Sequence, residues 1–236
     1  MKDLDRLAQE YKANQRAIEI VQSVPIVLLA GISGAGKDTI KKVLLGTGEY
    51  HKIITTTTRS PRPGEENGVH YHFVSMERVM EMLANHELIE ANYYSNNVYG
   101  ASVAEFQKAH DEQKIAIADI DVNGVAAFMQ IAPKTIRPIF LVPPSYDEWY
   151  ERWRNRYGDS YTEHLDDLQR RKTTAIDELE HVLNVPYYHI VINDDLEVAA
   201  KEVGEIAHSG VQNETGAQRG RAILRAVLED MRDSTI

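Results

Sequence analysis

The sequence predicts an α/β protein built on a mainly parallel sheet, and three observations predict it. Between residues 25 and 208, short apolar runs alternate with helical patterns, the signature of βα units. At the head of that region VLLAGISGAGKDT (Val27 to Thr39) sets a glycine-rich loop between an apolar run and a helical pattern. The chain has 236 residues, 43% of them hydrophobic and 26% charged, enough to bury a core in one large domain.

The bulk numbers also exclude. A formal charge of −10 argues against a chain whose main task is gripping nucleic acid by its phosphates. It leaves room for a small phosphate compound, provided Arg and Lys are gathered in one cleft. With no Cys there is no disulfide, thiol nucleophile or Cys-zinc site. No apolar run approaches the roughly 20 residues that span a bilayer. MKDLDRLAQEYK at the N-terminus carries acidic residues and no apolar core, unlike a secretory signal, so a cytoplasmic location is the default.

Taken in order, residues 1–24 predict a helix. Leu4, Leu7, Tyr11, Ile18 and Val21 lie on a seam of steps of three and four, with Asn14 its one polar interruption. That seam is either a flank packed on the domain or a short dimer contact whose register Asn14 sets, leaving monomer or homodimer open. The packed flank is the plainer reading, since sustained coiled coils want three or four heptads. The runs PIVLLAG, KIITTTT, YHFVS, ELIEANYY, KIAIADID, RPIFLVPP and YHIVIND read as strands. Helices fit after the glycine loop and over residues 76–85, 101–112, 124–131, 146–157, 163–183 and 196–207. Residues 209–236 open with a polar stretch that reads as a linker, SGVQNETGAQRG. They end in an amphipathic stretch with Ile223, Leu224, Val227, Leu228 and Met231 on one face.

The glycine loop is the first chemical signal. Phosphate-cradling loops read G-x-x-x-x-G-K-[ST], and Gly31, Gly36 and Lys37 fall at the right places. Glycine clusters also make tight turns, but the strand–loop–helix setting favours the phosphate reading. Consecutive backbone N–H groups and the helix N-terminus face an anion, and Lys37 reaches its outer oxygens. The next residue is Asp38, and the hydroxyl comes one position late, at Thr39. A carboxylate beside a triphosphate repels it unless Mg²⁺ lies between them. The order G-K-x-T resembles the loops of nucleoside monophosphate kinases such as adenylate kinases, which argues for a shifted metal shell built on Asp38 and Thr39.

The second signal is TTTTRSPRPGEENGVHYHFVS (Thr55 to Ser75). Arg59 and Arg62 flank a rigid Ser-Pro, so two guanidinium forks leave one short turn and can hold one phosphate, with the Tyr71 phenol beside them. On composition alone a solvated basic turn with a core Tyr is an equal reading. The string nevertheless resembles the substrate-binding signature of guanylate kinases, T-T-R-x-P-R-x-G-E-x-x-G-x-x-Y-x-F-V-S. Further motifs follow in that family's order: ELIEANYYSNNVYG, IADIDVNG, IFLVPPS and VINDDLE. The resemblance runs from about Pro25 to Ala207.

The resemblance implies a P-loop NTPase-type three-layer fold with a guanylate kinase-like domain over residues 25–208. Within it lie an NMP-binding subdomain (about 53–103) and a helical lid (about 146–172). It implies transfer of the ATP γ-phosphate to GMP and dGMP with Mg²⁺. Gly31, Ser33, Gly34, Ala35, Gly36, Lys37, Asp38 and Thr39 would wrap the ATP phosphates, with Asn193 near the adenine end. Thr55, Arg59, Arg62, Tyr71 and Tyr99 would hold the acceptor phosphate, and Glu90 would read the guanine N1–H and 2-amino group. Asp119 would lie near the acceptor and the metal, with Asp121 the weaker candidate. Arg152, Arg156 and Arg171 (or Arg170) would be the lid arginines that neutralise charge on the transferred group.

Three departures qualify this. Besides Asp38, Ala101 stands where the family usually carries a Ser or Thr that helps Glu90, with Ser102 next to it. The spacer between Arg156 and Arg171 is also a few residues long. These departures keep open a kinase of the same fold for another phosphorylated acceptor. A non-catalytic guanylate kinase-like module fits less well, because such modules lose the loop glycines and lysine kept here. Several conspicuous residues read as structural: His70 and His72 lack partners at metal spacing, Trp149 and Trp153 fit packing, and Tyr93 and Tyr94 fit a strand.

Overall fold

The computed structural model describes residues 6–8, 10–94 and 96–234. They form two compact units, the first from Met1–Ile26, Glu49–Ala118 and Ala126–Ile136, the second from Val27–Gly48, Asp119–Val125 and Arg137–Ile236.

In the first unit the N-terminal stretch departs from a single helix. Residues 6–8 and 10 are helical, residues 11–14 are not, and helix α1 runs Gln15–Gln22. The polar interruption is the reason. Asn14 is extended (ψ 170°), and its side chain accepts the Ala17 N–H, so it caps a new helix instead of continuing the old one. Ala8, Ala17, Val21 and Val24 are buried, and the Tyr11 hydroxyl donates to the Leu88 carbonyl at 2.6 Å. Leu7 stays exposed, and Leu4 lies outside the described residues. Of the seam, Val21 is buried in this unit and Tyr11 is tied to it.

The run KIITTTT divides between two pairings. Strand β2 (Tyr50–Lys52) pairs in parallel with β7 (Ile115–Asp119), whereas β3 (Thr56–Thr57) belongs to a four-stranded sheet with β4 (His72–Phe73), β5 (Asn92–Tyr94) and β6 (Asn97–Gly100). The order there is β4-β3-β6-β5, with β3–β4 parallel and both β6 pairings antiparallel. ELIEANYY keeps only its last residues as strand, and Leu88 forms an isolated bridge with Ser102. Helices α2 (Lys37–Gly46), α3 (Met76–Ala84), α4 (Val103–Asp111) and α5 (Val122–Ile131) follow the glycine loop and three of the predicted positions.

The second unit contains β1 (Ile26–Gly31), β8 (Ile136–Val142) and β9 (His189–Ile192), adjacent in the order β1-β8-β9 with β8–β9 parallel. β1 and β8 are buried nearly throughout, which is why they read as continuous apolar runs rather than alternating ones. Helix α6 (Tyr146–Tyr157) is joined to α7 (Leu165–Asn184) by a 3₁₀ turn over Gly158–His164, which takes up the long spacer between Arg156 and Arg171. α8 (Leu196–Ser209) ends on Gly210 in the left-handed region.

The expected linker is nearly absent. Asn213 caps α9 (Glu214–Asp233), so TGAQRG is helix, and Gly220, Leu224, Val227, Leu228 and Met231 are buried. A Cβ on Gly220 would stand 2.3 Å from the Ile190 carbonyl oxygen, so glycine here lets α9 lie close on β9.

Candidate active site

The glycine loop leaves β1 and enters α2 through Gly36, whose φ of 91° places it where L side chains are strained. A Cβ at Gly36 would meet the Asn193 amide at 2.1 Å. Asn193, buried just past β9, donates Nδ2–H to the Ala35 carbonyl at 2.7 Å. Asn193 thereby ties the end of β9 to the loop. Beneath the loop Trp149 donates its indole N–H to the Ser33 carbonyl at 2.7 Å. Trp149 and Trp153 are buried, in keeping with packing, yet Trp149 also fixes the loop's height.

Lys37 folds back so that Nζ donates to the Gly31 carbonyl at 2.5 Å. Burial pushes its pKa below the usual lysine range, while Glu178 and Asp38 oppose that shift. Ser33, Gly34, Gly36, Lys37, Asp38 and Thr39 line one cavity of about 490 Å³ together with Arg152, Arg156, Asn193 and Asp194. Arg152 is steered by Glu148 (2.9 Å) and the Asn193 carbonyl (2.8 Å). Arg171 donates to the Ser33 hydroxyl at 3.0 Å and is braced by Asp167 at 2.8 Å. Arg170 bonds Asp167 at 3.3 Å with its side chain 77% exposed, so of the two candidates it is Arg171 that joins the loop. Arg156 and Arg171 both lie over the Trp153 ring, 5.5 and 4.7 Å from its centroid. Three guanidiniums and one ammonium thus gather around a cradle of backbone N–H groups, an arrangement that suits a polyphosphate.

Asp38 stands at the solvent edge of this cavity. Its side chain is 95% exposed and bonds Lys41 at 3.1 Å, and Lys41 is also paired with Asp119 at the end of β7. Asp121 accepts the Gly124 N–H at 2.7 Å and thereby caps the turn into α5. Among the described residues no three His, Cys, Asp or Glu gather as a metal cluster. The donors that are present, one or two carboxylates and the Thr39 hydroxyl, match how Mg²⁺ is usually held, with the remaining positions filled by water and substrate phosphate.

In the first unit, Arg59 and Arg62 meet at Glu65. Arg59 donates to Oε1 at 2.9 Å, and the Arg62 backbone N–H donates to Oε2 at 2.7 Å. The Arg59 guanidinium, with the Arg62 N–H, holds the Glu65 carboxyl down to about 2. Arg59 also lies 5.3 Å from the centroid of the Tyr71 ring, and Tyr71 and Tyr99 meet edge to face at 6.3 Å. Thr55 accepts the His72 N–H through its carbonyl. Glu90 accepts the Ala101 N–H at 3.0 Å and the Asn92 amide at 2.6 Å, so the backbone at Ala101 orients the carboxylate without help from a hydroxyl there. Ser102 is buried at the N-cap position of α4. His72 reaches the buried Glu105 at 3.3 Å and His70 accepts the Glu66 N–H, both structural tasks.

Sequence reasoning missed Glu65, Glu178 and Lys41. Glu65 lay inside the recognised string, and Lys41 lay three residues past Asp38 on the same helix face. Glu178, on α7, had no local signal. Burial pushes its carboxyl up to about 7, against the pull of Lys37 and with repulsion from Asp121.

A mostly parallel α/β core with a glycine loop between its first strand and the following helix is the P-loop NTPase type of fold. A model of the guanylate kinase family matches residues 22–209. Guanylate kinases of Mycoplasmopsis synoviae and Sulfurimonas denitrificans are 34% and 36% identical to it. Those alignments cover 78% and 77% of this chain and 93% and 86% of the relatives. The crystal structure of guanylate kinase from Anaplasma phagocytophilum matches 82% of this chain and 89% of its own, at 26% identity and a TM-score of 0.58. The chain belongs to the guanylate kinase family, which makes it a nucleoside monophosphate kinase by descent.

Proposed function

We propose that this protein transfers the γ-phosphoryl group of ATP to GMP and dGMP in a single in-line step. One observation carries the reading: Lys37, Arg152, Arg156 and Arg171 converge on the loop Ser33–Thr39. Phosphoryl transfer needs no covalent nucleophile from the protein, so positioning and charge neutralisation do nearly all the work.

The backbone N–H groups of residues 33–39 cradle the β- and γ-phosphates, and Lys37 swings from the Gly31 carbonyl to their oxygens. Arg152, Arg156 and Arg171 neutralise charge developing on the transferred group. Arg59, Arg62, Tyr71, Tyr99 and Thr55 take the acceptor phosphate, with Glu65 setting the Arg59 fork. Glu90, already oriented by Ala101 and Asn92, accepts from the guanine N1–H and 2-amino group, a donor pair adenine lacks. Thr39 and Asp119 would hold Mg²⁺, which would supply further charge neutralisation. No membrane or nucleic-acid partner is part of this reading, and the location is the cytoplasm.

The test is an ADP-release assay with ATP, Mg²⁺ and, in turn, GMP, dGMP, AMP, CMP and UMP. Turnover with GMP and dGMP alone is the expected result. Equal turnover with AMP, or silence with every acceptor, would sink it.

A further inference from the structure

Asp38, the residue out of place in the glycine loop, has a partner three residues on. Asp38 and Lys41 share one face of α2, and the Lys41 ammonium bonds Asp38 Oδ1 at 3.1 Å. The same ammonium is ion-paired with Asp119 Oδ2. The two contacts differ in weight. The Asp38 side chain is 95% exposed and its attraction is screened, whereas Lys41 is 13% exposed and Asp119 30%. Lys41 therefore belongs first to Asp119, and Asp38 braces it from the solvent side. The charge that Asp38 adds at the start of α2 is cancelled one helical turn later. Asp119 ends β7 at the carboxyl edge, where parallel sheets place ligands, and the contact uses only one of its two oxygens.

We propose that Lys41 is a positioning residue for Asp119. Its ammonium, braced by Asp38, fixes that carboxylate at the end of β7 and sets how strongly this edge of the site attracts a divalent cation. The inference rests on the phosphate-loop reading above and explains why a carboxylate is tolerated at position 38. Removing the ammonium leaves two uncompensated carboxylates near one another, so cation affinity rises while the orientation of Asp119 is lost.

The test uses the full chain with Lys41→Met, Lys41→Arg and Lys41→Met combined with Asp119→Asn. Mn²⁺ binding is followed by electron paramagnetic resonance without nucleotide, and kcat and KM are measured separately. Lys41→Met should tighten Mn²⁺ by about fivefold, as expected for removing one nearby positive charge. Adding Asp119→Asn should cancel that gain. In Lys41→Met kcat should fall about tenfold from a misplaced carboxylate, with KM for ATP within about twofold, and Lys41→Arg should recover most of it. Mn²⁺ binding unchanged in Lys41→Met, or a gain that survives Asp119→Asn, would overturn the proposal. Because the Mn²⁺ arm contains no nucleotide, it decides the role of Lys41 even if ATP binding, measured on its own, fails to appear.

Discussion

Single side chains divide this site into groups that hold charge and groups that set their angle. Lys37 belongs to the first kind, so Lys37→Ala should lower kcat on the order of a thousandfold and leave GMP binding intact. Steady-state kinetics beside a GMP titration would show this, and an unchanged kcat would remove the loop assignment. In the proposed reading, Glu90 accepts two charged hydrogen bonds from the base. Glu90→Gln should therefore raise KM for GMP by about 10- to 100-fold while poor acceptors change little, and equal losses for GMP and AMP would refute it. Glu178 makes a prediction in pH. Its folded pKa of about 7 lies above the unbound value of 4.5, so the folded state holds an extra proton between those values. Stability therefore falls as pH rises through that window and levels off above it. Replacing the carboxyl by an amide removes this loss, worth about 3 kcal/mol at pH 8. The Tm of Glu178→Gln relative to the parent should rise by about 4 °C or more between pH 5 and pH 8. A pH-independent difference would show that Glu178 ionises freely.

Within single elements, glycine and cap chemistry decide what the sequence disclosed. The apolar runs of β1, β8 and β9 were legible because strands buried on both faces leave no alternation to misread. The breaks were not. Asn14 fits a helical seam by spacing, and only its side-chain bond to the Ala17 N–H shows that it starts a helix. KIITTTT is uniformly strand-like, yet its two ends serve different partners, a tertiary fact with no local mark. TGAQRG reads as linker because two glycines lower helix propensity, but one of them is needed for packing. Gly220→Ala would force a Cβ within 2.3 Å of the Ile190 carbonyl, whereas at Gly216 the nearest obstacle is the movable end of Glu202 at 2.7 Å. Gly220→Ala should thus cost about 2 kcal/mol or more, while Gly216→Ala should be neutral or gain up to about 1 kcal/mol. Urea unfolding of both variants separates these outcomes, and similar effects at the two positions would mean that α9 does not rest on β9 as closely as described.

For the whole molecule, a formal charge of −10 coexists with a nucleotide chemistry that demands cations. The resolution is local: the arginines sit on their own carboxylate braces, Arg59 on Glu65, Arg152 on Glu148 and Arg171 on Asp167. Motif order names the arginines but not their braces: Glu148 and Asp167 are i,i+4 acids that look like any solvated helix face, and Glu65 lies six residues past Arg59 in a turn. Lys37, Thr39, Asn193, Arg152, Arg156 and Arg171 all belong to the second unit, while Thr55, Arg59, Arg62, Tyr71, Glu90 and Tyr99 all belong to the first. Ligand-induced stabilisation should therefore separate by variant. A ligand at a hundred times its Kd adds about 2.7 kcal/mol of stability, a shift of several degrees in a protein of this size. In thermal unfolding Lys37→Ala should lose the shift given by ATP and keep the one given by GMP. Arg59→Ala should do the reverse. If either variant loses both shifts while its ligand-free Tm is unchanged, donor and acceptor recognition are not divided between these residue sets, and the roles assigned to them above must be redrawn.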